Sequence, residues 1–233
     1  MKLEKITKKA EPAKSAPSTR SYDDACGAAH ALDLIGERWA LLVMRELMFG
    51  PKRFSDLRAD LPGISANVLT QRLDRLEDIG ALRRRKLPPP AASHVYELTP
   101  WGSEIEPVLG VLGRWAARSP LHDPTLPLSA ASLMLSFKTM FDASRAKGLN
   151  ARIGFRIGEE TFLVQIRRGA CGAVRQALDG AEVVFAGPAT AIAAAVYGGA
   201  PLAALEAKKA LAIEGDRALA ERFTMLFPLP PKA

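Results

Sequence analysis

A run of four cations, residues 83–86 (RRRK), lies between a helical pattern and a proline-rich loop. Arginine and lysine side chains at this density can neutralise the phosphates of a nucleic acid. The preceding helical pattern carries Asn67, Thr70 and Gln71, whose amide and hydroxyl groups can hydrogen-bond to base edges in a major groove. An amphipathic helix followed by a basic strand also fits an ordinary solvated surface. The pattern alone therefore leaves two interpretations, a DNA-reading element and a solvated face.

The residue types that catalysis or metal binding would need are scattered. The histidines His30, His94 and His122 lack the spacing of a metal site. The sequence shows neither a nucleophile elbow nor a paired-carboxylate motif. We therefore expect no enzyme, no metal and no cofactor.

The elements around the cationic run predict a winged helix-turn-helix. Ser65 can cap a helix that extends to about Ile79, and Gly80 suits its carboxyl end. The hydrophobic period then changes to two, which predicts a hairpin of residues 81–87 and 94–99, stiffened at its tip by three prolines. Helices are expected before and after these elements, so the order is that of a module that places one helix in the major groove.

The other helices of this module are expected to supply its core. Residues 25–35 show one apolar stripe of Ala28, Leu32 and Ile35, and residues 38–49 are apolar nearly all round, as in a central buried helix. Ser55 is a plausible cap for the next helix. A single closing helix is predicted over residues 101–119. The residues expected in the core include Trp39, Leu73 and Leu76.

Composition favours two small domains. The chain has 233 residues, 48% hydrophobic and 24% charged, which suffices for a core in each half. A formal charge of +7 indicates an anionic partner but does not separate nucleic acid from a membrane surface. Two cysteines fit a reducing compartment, so a cytoplasmic location is expected.

Changes in composition suggest the domain boundaries. Residues 1–22 are rich in Lys, Ser, Pro and Ala and predict a disordered basic arm. The DNA-binding module is assigned to residues 23–119. Three prolines then predict a linker over residues 120–129, and residues 130–230 form the second domain.

The second half predicts an α+β domain, because helical and period-two segments are mixed. A helix is expected over residues 129–147, followed by a hairpin around Gly158, Glu159 and Glu160. Cys171 is expected in a turn-like stretch. The remaining segments are strands over 181–187 and 210–215, helical structure over 188–208, and a closing helix that Asp216 caps.

An uncharged stretch, residues 183–205, is long enough to span a bilayer. Glycine and proline interrupt it at 187–188, 198–199 and 201, which predicts a strand and two short helices. We therefore expect no membrane insertion.

The first half resembles the HxlR family of bacterial winged-helix regulators. The segments ALDLIGERW, LLVMRELMFGPKRFSDLRADLPGIS, VLTQRLDRLEDIG and YELTPWG keep the family's order and spacing across residues 26–118. The resemblance implies a homodimer whose terminal helices hold two modules on the half-sites of a double-stranded operator. The DNA-binding residues that it implies are Lys52, Arg53, Ser65, Asn67, Thr70, Gln71, Arg72, Arg83 and Arg85.

The same resemblance singles out Cys26 as a redox candidate, since several members are thought to sense oxidants or electrophiles at this place. A thiol in the first turn of a helix has its thiolate favoured by the macrodipole. Asp23 and Asp24 oppose this effect, and Gly27 stands where the family often has proline. A redox sensor and a small buried cysteine both stay open.

The second half resembles the sterol-carrier-protein-like domain in IGEETFLVQIRRG, VVFAGPATAIAAAVYGG and LAIEGDRALAERFTMLF. This resemblance implies an apolar tunnel for a small hydrophobic ligand, in a domain that also occurs appended to such regulators. Plain core packing is the alternative for each residue assigned to the tunnel. The candidate ligand-binding residues are Phe137, Phe141, Phe155, Phe162, Ile192, Val196 and Tyr197.

These inferences combine into one expected function, a dimeric transcriptional regulator that binds operator DNA and senses a small hydrophobic ligand. The expected fold class is α+β, with an N-terminal winged helix-turn-helix followed by a sterol-carrier-protein-like domain. Two alternatives stay open. One is a lipid or acyl-group carrier and the other an interaction protein, each with a basic N-terminal half that docks on a partner other than DNA.

Overall fold

The structure is a computed structural model that describes residues 21–88 and 93–233. It divides into two units, one ending at Glu37 and one comprising residues 38–233. The arm predicted over residues 1–22 lies outside the described residues except for Ser21 and Tyr22. Of the three prolines predicted to stiffen the hairpin tip, Pro88 alone is described.

The described residues of the first unit form one helix, α1 (Gly27–Ile35). The backbone amide of Tyr22 and the hydroxyl of Ser21 donate to the carboxylate of Asp33, at 3.1 and 3.4 Å. These bonds tie the two residues to α1. The predicted buried stripe is wrong: α1 has no buried residue, and Leu32 is 54% exposed. Among the described residues up to Glu37 no other helix or strand is available to cover it.

The second unit begins with the helix-turn-helix and its hairpin. The elements are α2 (Ala40–Leu47), α3 (Phe54–Asp60), α4 (Ala66–Asp78), β1 (Leu82–Lys86), β2 (His94–Leu98), α5 (Pro100–Ser103) and α6 (Glu106–Ala117). The strands pair antiparallel, with Leu82 opposite Leu98 and Lys86 opposite His94. Leu73 and Leu76 are buried as predicted.

Local expectations for this module needed four corrections. Trp39 is half-buried rather than core, with a φ of 81° at the start of α2. That helix is buried on one side only, since Leu42 is exposed. Arg53, not Ser55, precedes the first turn of α3, and its amide donates to Asp56. The closing helix is broken before α6, where Pro107 lacks the amide that a continuous helix requires.

The rest of the second unit is a five-stranded sheet with four helices. The elements are α7 (Ala130–Met140), β3 (Ala151–Ile157), β4 (Glu160–Arg167), β5 (Ala170–Arg175), β6 (Val183–Ala186), α8 (Ala189–Val196), α9 (Leu202–Ala207), β7 (Ala212–Gly215) and α10 (Arg217–Thr224). The strand order is β5-β4-β3-β6-β7. Strands β3 and β6 are parallel, and the other pairs are antiparallel. The predicted α+β class is confirmed.

Two assignments in this part were wrong. Helix α7 ends at Met140 rather than near residue 147, because the amide of Asp142 donates to the carbonyl of Leu226 and its carboxylate accepts from Ser144. Cys171 lies in strand β5, opposite Ile166, rather than in a turn. The edge of β4 supplies the hydrogen bonds that order this short segment, and sequence periodicity does not show such an edge.

The uncharged stretch of residues 183–205 is interrupted as predicted. It comprises β6, α8 and the start of α9, and Gly199 lies between the helices with a φ of 65°. Within the described part of the chain, no helix is both long and apolar enough to span a membrane.

Candidate nucleic-acid interface

Helix α4 separates apolar from polar side chains. The hydroxyl of Ser65 accepts from the amide of Val68 at 3.2 Å and so caps the helix. Leu69, Leu73 and Leu76 are fully buried along one side. The exposed residues at the amino-terminal end are Ser65, Asn67, Thr70 and Gln71. The structure therefore brings four predicted DNA-binding residues to one solvent-facing end of a helix that its leucines anchor.

Arg72 has a different environment from these four. Its side chain is half-buried, and its Nε donates to the carbonyl oxygen of Arg38 at 3.0 Å. This bond joins α4 to the segment that leads into α2. The family resemblance implied a DNA-binding role for Arg72, and in the structure its side chain helps to hold α4.

The hairpin of β1 and β2, which we call the wing, carries less uncompensated positive charge than its sequence suggests. Arg83 Nε lies 2.7 Å from Glu97 Oε1, and Arg85 Nη2 lies 3.2 Å from Glu97 Oε2. The hydrogen bonds from Arg85 and Arg83 lower the pKa of Glu97 despite the opposing effect of burial, so this carboxylate is ionised at neutral pH. Two of the predicted phosphate ligands thus share one counter-ion. Sequence reasoning missed Glu97, although strand register places it opposite Arg83.

Arg84 points to the other face of the hairpin, as alternation in a strand requires. Its guanidinium lies over the ring of Tyr96, 5.8 Å from the centroid. Its backbone amide donates to Glu77 at the end of α4. The first contact lies within the hairpin, and the second fixes the hairpin to α4.

Lys52 is not a surface phosphate ligand, and that prediction is wrong. The residue is 3% exposed, and its Nζ lies 2.6 Å from Asp60 Oδ2 and 3.2 Å from Glu160 Oε1. Burial works against its charge, but the hydrogen bond that Lys52 donates to Asp60 and the charges of Glu160 and Glu46 outweigh that cost and raise the pKa. The neighbouring Arg53 is exposed, as expected for a residue near DNA.

Lys52 belongs to a cluster of buried and partly buried charges that joins the helix-turn-helix to the C-terminal sheet. We call it the junction cluster and define it as Glu46, Lys52, Asp60, Glu160 and Arg175. Arg175 Nη1 donates to Glu160 at 3.0 Å, and its Nη2 donates to the carbonyl of Pro51 at 2.6 Å.

The apolar and polar surroundings of the junction cluster strengthen this connection. The rings of Phe49 and Phe162 meet edge to face, 5.8 Å apart. Glu46 is completely buried, and burial raises its pKa although the hydroxyl of Ser129 donates to it at 2.7 Å. The partners come from positions far apart in the chain, and no local sequence signal pairs them.

The two cysteines have opposite environments. Cys26 is exposed at the amino end of α1, where the backbone amides of Ala29 and Ala28 lower the pKa of its thiol. This direction opposes the effect that Asp23 and Asp24 were expected to have. Burial raises the pKa of Cys171 to about 12.

The residues predicted to line a tunnel pack against one another. Phe137, Phe155 and Phe162 are fully buried, and the rings of Phe137 and Phe155 lie 5.3 Å apart. Tyr197 shares a 2.6 Å hydrogen bond with Ser136, and burial raises its pKa. The other predicted lining residues, Phe141, Ile192 and Val196, belong to or pack on the same cluster.

Val196 also borders an open cleft of about 470 Å³. The cleft lies beside α8, α9 and α10, and Met225 forms part of its rim. Among the residues that the structure describes, no group of three or more His, Cys, Asp or Glu side chains is placed to hold a metal ion.

The helix-turn-helix, the capped recognition helix and the basic hairpin define a DNA-binding transcriptional regulator. Residues 34–122 match the family described as HxlR-like helix-turn-helix. The regulator YvaP of Bacillus subtilis is 37% identical over 86 residues, which are 37% of this chain and 80% of YvaP. The regulator YodB of the same organism is 36% identical over 86 residues, 77% of its length. The chain belongs to the HxlR family.

Solved structures also resemble part of the chain. The reduced form of YodB is 33% identical and covers 42% of this chain and 98% of its own, with a TM-score of 0.38. The putative regulator ytcD is 32% identical and covers 40% of this chain and 94% of its own, with the same TM-score.

Proposed function

We propose that the protein is a homodimeric operator-binding regulator that responds to a small hydrophobic ligand and carries out no catalysis. The DNA-binding part of this proposal rests on one observation. The capped end of α4 exposes Asn67, Thr70 and Gln71 while the leucines of the same helix are buried. Amide and hydroxyl groups at this end match the donors and acceptors of base edges, and Asn and Gln suit adenine in particular.

The phosphate contacts are assigned to exposed cations around α4. Arg53 precedes α3, and Arg83 and Arg85 lie on one face of the wing. Ser65 can contribute a hydroxyl at the start of α4. Glu97 holds the two wing arginines in position in the free protein, and DNA phosphates would replace it as their partner.

An apolar stripe on α6 supports the dimer. Its residues recur at helical spacing and are largely exposed: Val108, Val111, Leu112 and Trp115. Val111 and Trp115 are 73% and 72% exposed, which is unusual for large apolar side chains on one stripe. A second copy of the chain with the same stripe would bury them in a two-fold contact. This agrees with the use of a terminal helix that the family resemblance implies.

Ligand sensing is assigned to the C-terminal part, with its sterol-carrier-protein-like sequence pattern. The open cleft beside α8, α9 and α10 offers apolar side chains, among them Val196, Leu202 and Met225, beside a few polar groups, the composition of a small-molecule site. The junction cluster connects this part directly to α2 and α3. A ligand that favours one arrangement of the sheet would therefore bias the position of the DNA-reading helices.

Selection of genomic fragments by the purified protein, followed by sequencing, tests the DNA-binding part. We expect a reproducible pseudo-palindromic sequence, and Gln71→Ala should lower affinity for it by about tenfold because a lost base contact costs about 1–3 kcal/mol. Gln165→Ala is the matched control, since Gln165 is exposed on β4. A folded wild-type protein that enriches no sequence would overturn the proposal.

Mass spectrometry of an organic extract of the purified protein tests ligand sensing. We expect a co-purified apolar molecule that raises the melting temperature when it is added back. Bound apolar ligand without any DNA preference would instead favour the lipid-carrier alternative.

A further inference from the structure

An arginine occupies a strained position in the turn between β4 and β5. Arg168 and Gly169 connect the paired residues Arg167 and Ala170, with φ values of 52° and 75°. Two consecutive positive φ values are typical of a type I′ turn, whose first position favours Asn, Asp or Gly. Arginine has a Cβ atom, so the left-handed conformation of Arg168 is strained. Arg168 nevertheless places a long positive side chain at the tip of the hairpin.

Further cations surround this turn. The side-chain oxygen of Asn150 accepts from the amide of Arg168 at 3.4 Å, so the segment of residues 142–150 lies beside it. Arg222 of α10 donates to the carbonyl of Lys147 at 2.9 Å. We call the exposed cations of this region the turn cluster: Arg145, Lys147, Arg167, Arg168 and Arg222.

The turn cluster has little compensating negative charge. Asp142 lies 3.5 Å from Arg145. The sequence contains no acidic residue over positions 143–158 or 161–178, which include most of the cluster. Five like charges on one surface repel one another, so the arrangement is costly without an anionic partner.

The composition of the turn cluster favours phosphate groups. Four of its five cations are arginines, whose planar guanidinium can bind phosphate through two hydrogen bonds. The cluster lies at the end of β4 opposite Glu160, which contacts Lys52 of the DNA-binding module. Seven residue steps along β4 separate Glu160 from Arg167 by about 23 Å, which corresponds to about seven base pairs of duplex.

We propose that the turn cluster is a second phosphate-binding surface, which contacts duplex DNA outside the site that α4 reads. This inference rests on the DNA binding proposed above and extends it to the C-terminal part. It needs no base-specific contact, so a duplex of mixed sequence is a sufficient probe.

The test measures the salt dependence of binding to a mixed-sequence duplex of about 40 base pairs. The double variant Arg167→Gln, Arg168→Asn removes two cations, and asparagine accepts the left-handed conformation more readily than arginine. The melting temperature should therefore not fall. We expect the slope of log K against log salt to become shallower by about 2, since each phosphate contact contributes about 0.9.

Lys208→Gln with Lys209→Asn is the matched control. Lys209 also has a positive φ, 53°, and both lysines are exposed between α9 and β7, at the other edge of the sheet. This variant loses the same charge and should keep the wild-type slope.

Three results would overturn the proposal. The first is an unchanged slope in the Arg167–Arg168 variant while wild-type protein binds the duplex, which leaves the proposed function intact. The second is an equal change in the lysine control, which would reflect net charge only. The third is a loss of binding to vesicles that contain anionic phospholipid in the Arg167–Arg168 variant and not in the lysine control, while duplex binding is unchanged. This result would assign the surface to a membrane. Wild-type protein that binds no duplex would contradict the proposed function itself.

Discussion

The ammonium of Lys52 lies 3.2 Å from a carboxylate oxygen of Glu160, although 108 residues separate them in the sequence. This contact joins the segment between α2 and α3 to the first residue of β4. Lys52 is almost fully buried, and three carboxylates surround it. It therefore acts as the centre of the connection between the DNA-binding and C-terminal parts.

Replacing Lys52 should destabilise the protein strongly. Lys52→Met leaves Asp60, Glu160 and Glu46 without their shared cation, and breaking a buried ion pair by removing one partner costs about 3–5 kcal/mol. Urea unfolding measures this change as a lower midpoint. Arg53→Ala, at the adjacent exposed position, should change stability by no more than about 0.5 kcal/mol. Equal midpoints for the two variants would show that the cluster adds nothing to stability.

Removing the charge of Glu97 should strengthen DNA binding. Glu97→Gln releases Arg83 and Arg85 from their shared counter-ion, so the wing gains one net positive charge. We expect tighter binding at low salt and a salt slope steeper by about 1. Fluorescence anisotropy at several salt concentrations gives both quantities. Glu214→Gln, which removes an exposed carboxylate paired with Arg156, is the control and should change neither. A weaker or unchanged affinity in Glu97→Gln would mean that the two arginines do not contact phosphates.

A charge on the exposed stripe of α6 should dissociate the dimer. Val111→Asp places like charges from two copies in one apolar contact, which costs several kcal/mol and weakens association by about a hundredfold or more. Sedimentation velocity at micromolar concentration measures the change from dimer to monomer. Val174→Asp, at a valine 46% exposed on β5, should stay dimeric. If Val111→Asp sediments like the wild type, the dimer forms elsewhere.

The two cysteines should react at very different rates. The lowered pKa of Cys26 increases its thiolate fraction at neutral pH, and the raised pKa of Cys171, about 12, suppresses the thiolate there. Iodoacetamide at pH 7.5 should therefore label Cys26 at least about ten times faster than Cys171. Peptide mass spectrometry measures the two rates.

The pH profile of this labelling provides a second check. Because the thiolate is the reactive form, the midpoint of the Cys26 profile should lie below that of a cysteine in an unstructured peptide measured alongside it. A midpoint above that value would mean that Asp23 and Asp24 control this thiol. Cys26→Ser identifies any signal that comes from Cys171.

Much of the fold could be predicted because it depends on local periodicity. The serine cap and the buried leucines of α4 lie within a few residues of one another, and the change to period two after Gly80 marks the hairpin. Asp216 caps α10 through the amide of Leu219 for the same local reason. These features need no information from distant parts of the chain.

The exposure of the predicted site residues was anticipated correctly where it follows from a helical wheel and incorrectly where a distant partner intervenes. Asn67, Thr70 and Gln71 are exposed as expected. Lys52 has the same sequence signal as Arg53, yet one is buried and the other exposed. Apolar periodicity likewise could not distinguish the packed core residue Leu109 from the exposed Val108 and Trp115 on the same helix.

The sequence by itself determined the helix-turn-helix, its family and the polar face of α4, because short-range hydrogen bonds and hydrophobic spacing specify them. Only the tertiary structure decided that Lys52 is buried among carboxylates, that Glu97 neutralises part of the wing, and that Cys171 lies in a strand. Each of these outcomes depends on a partner that the folded chain brings close. Burial and Coulomb energy depend on distance in space, and separation along the chain does not report that distance.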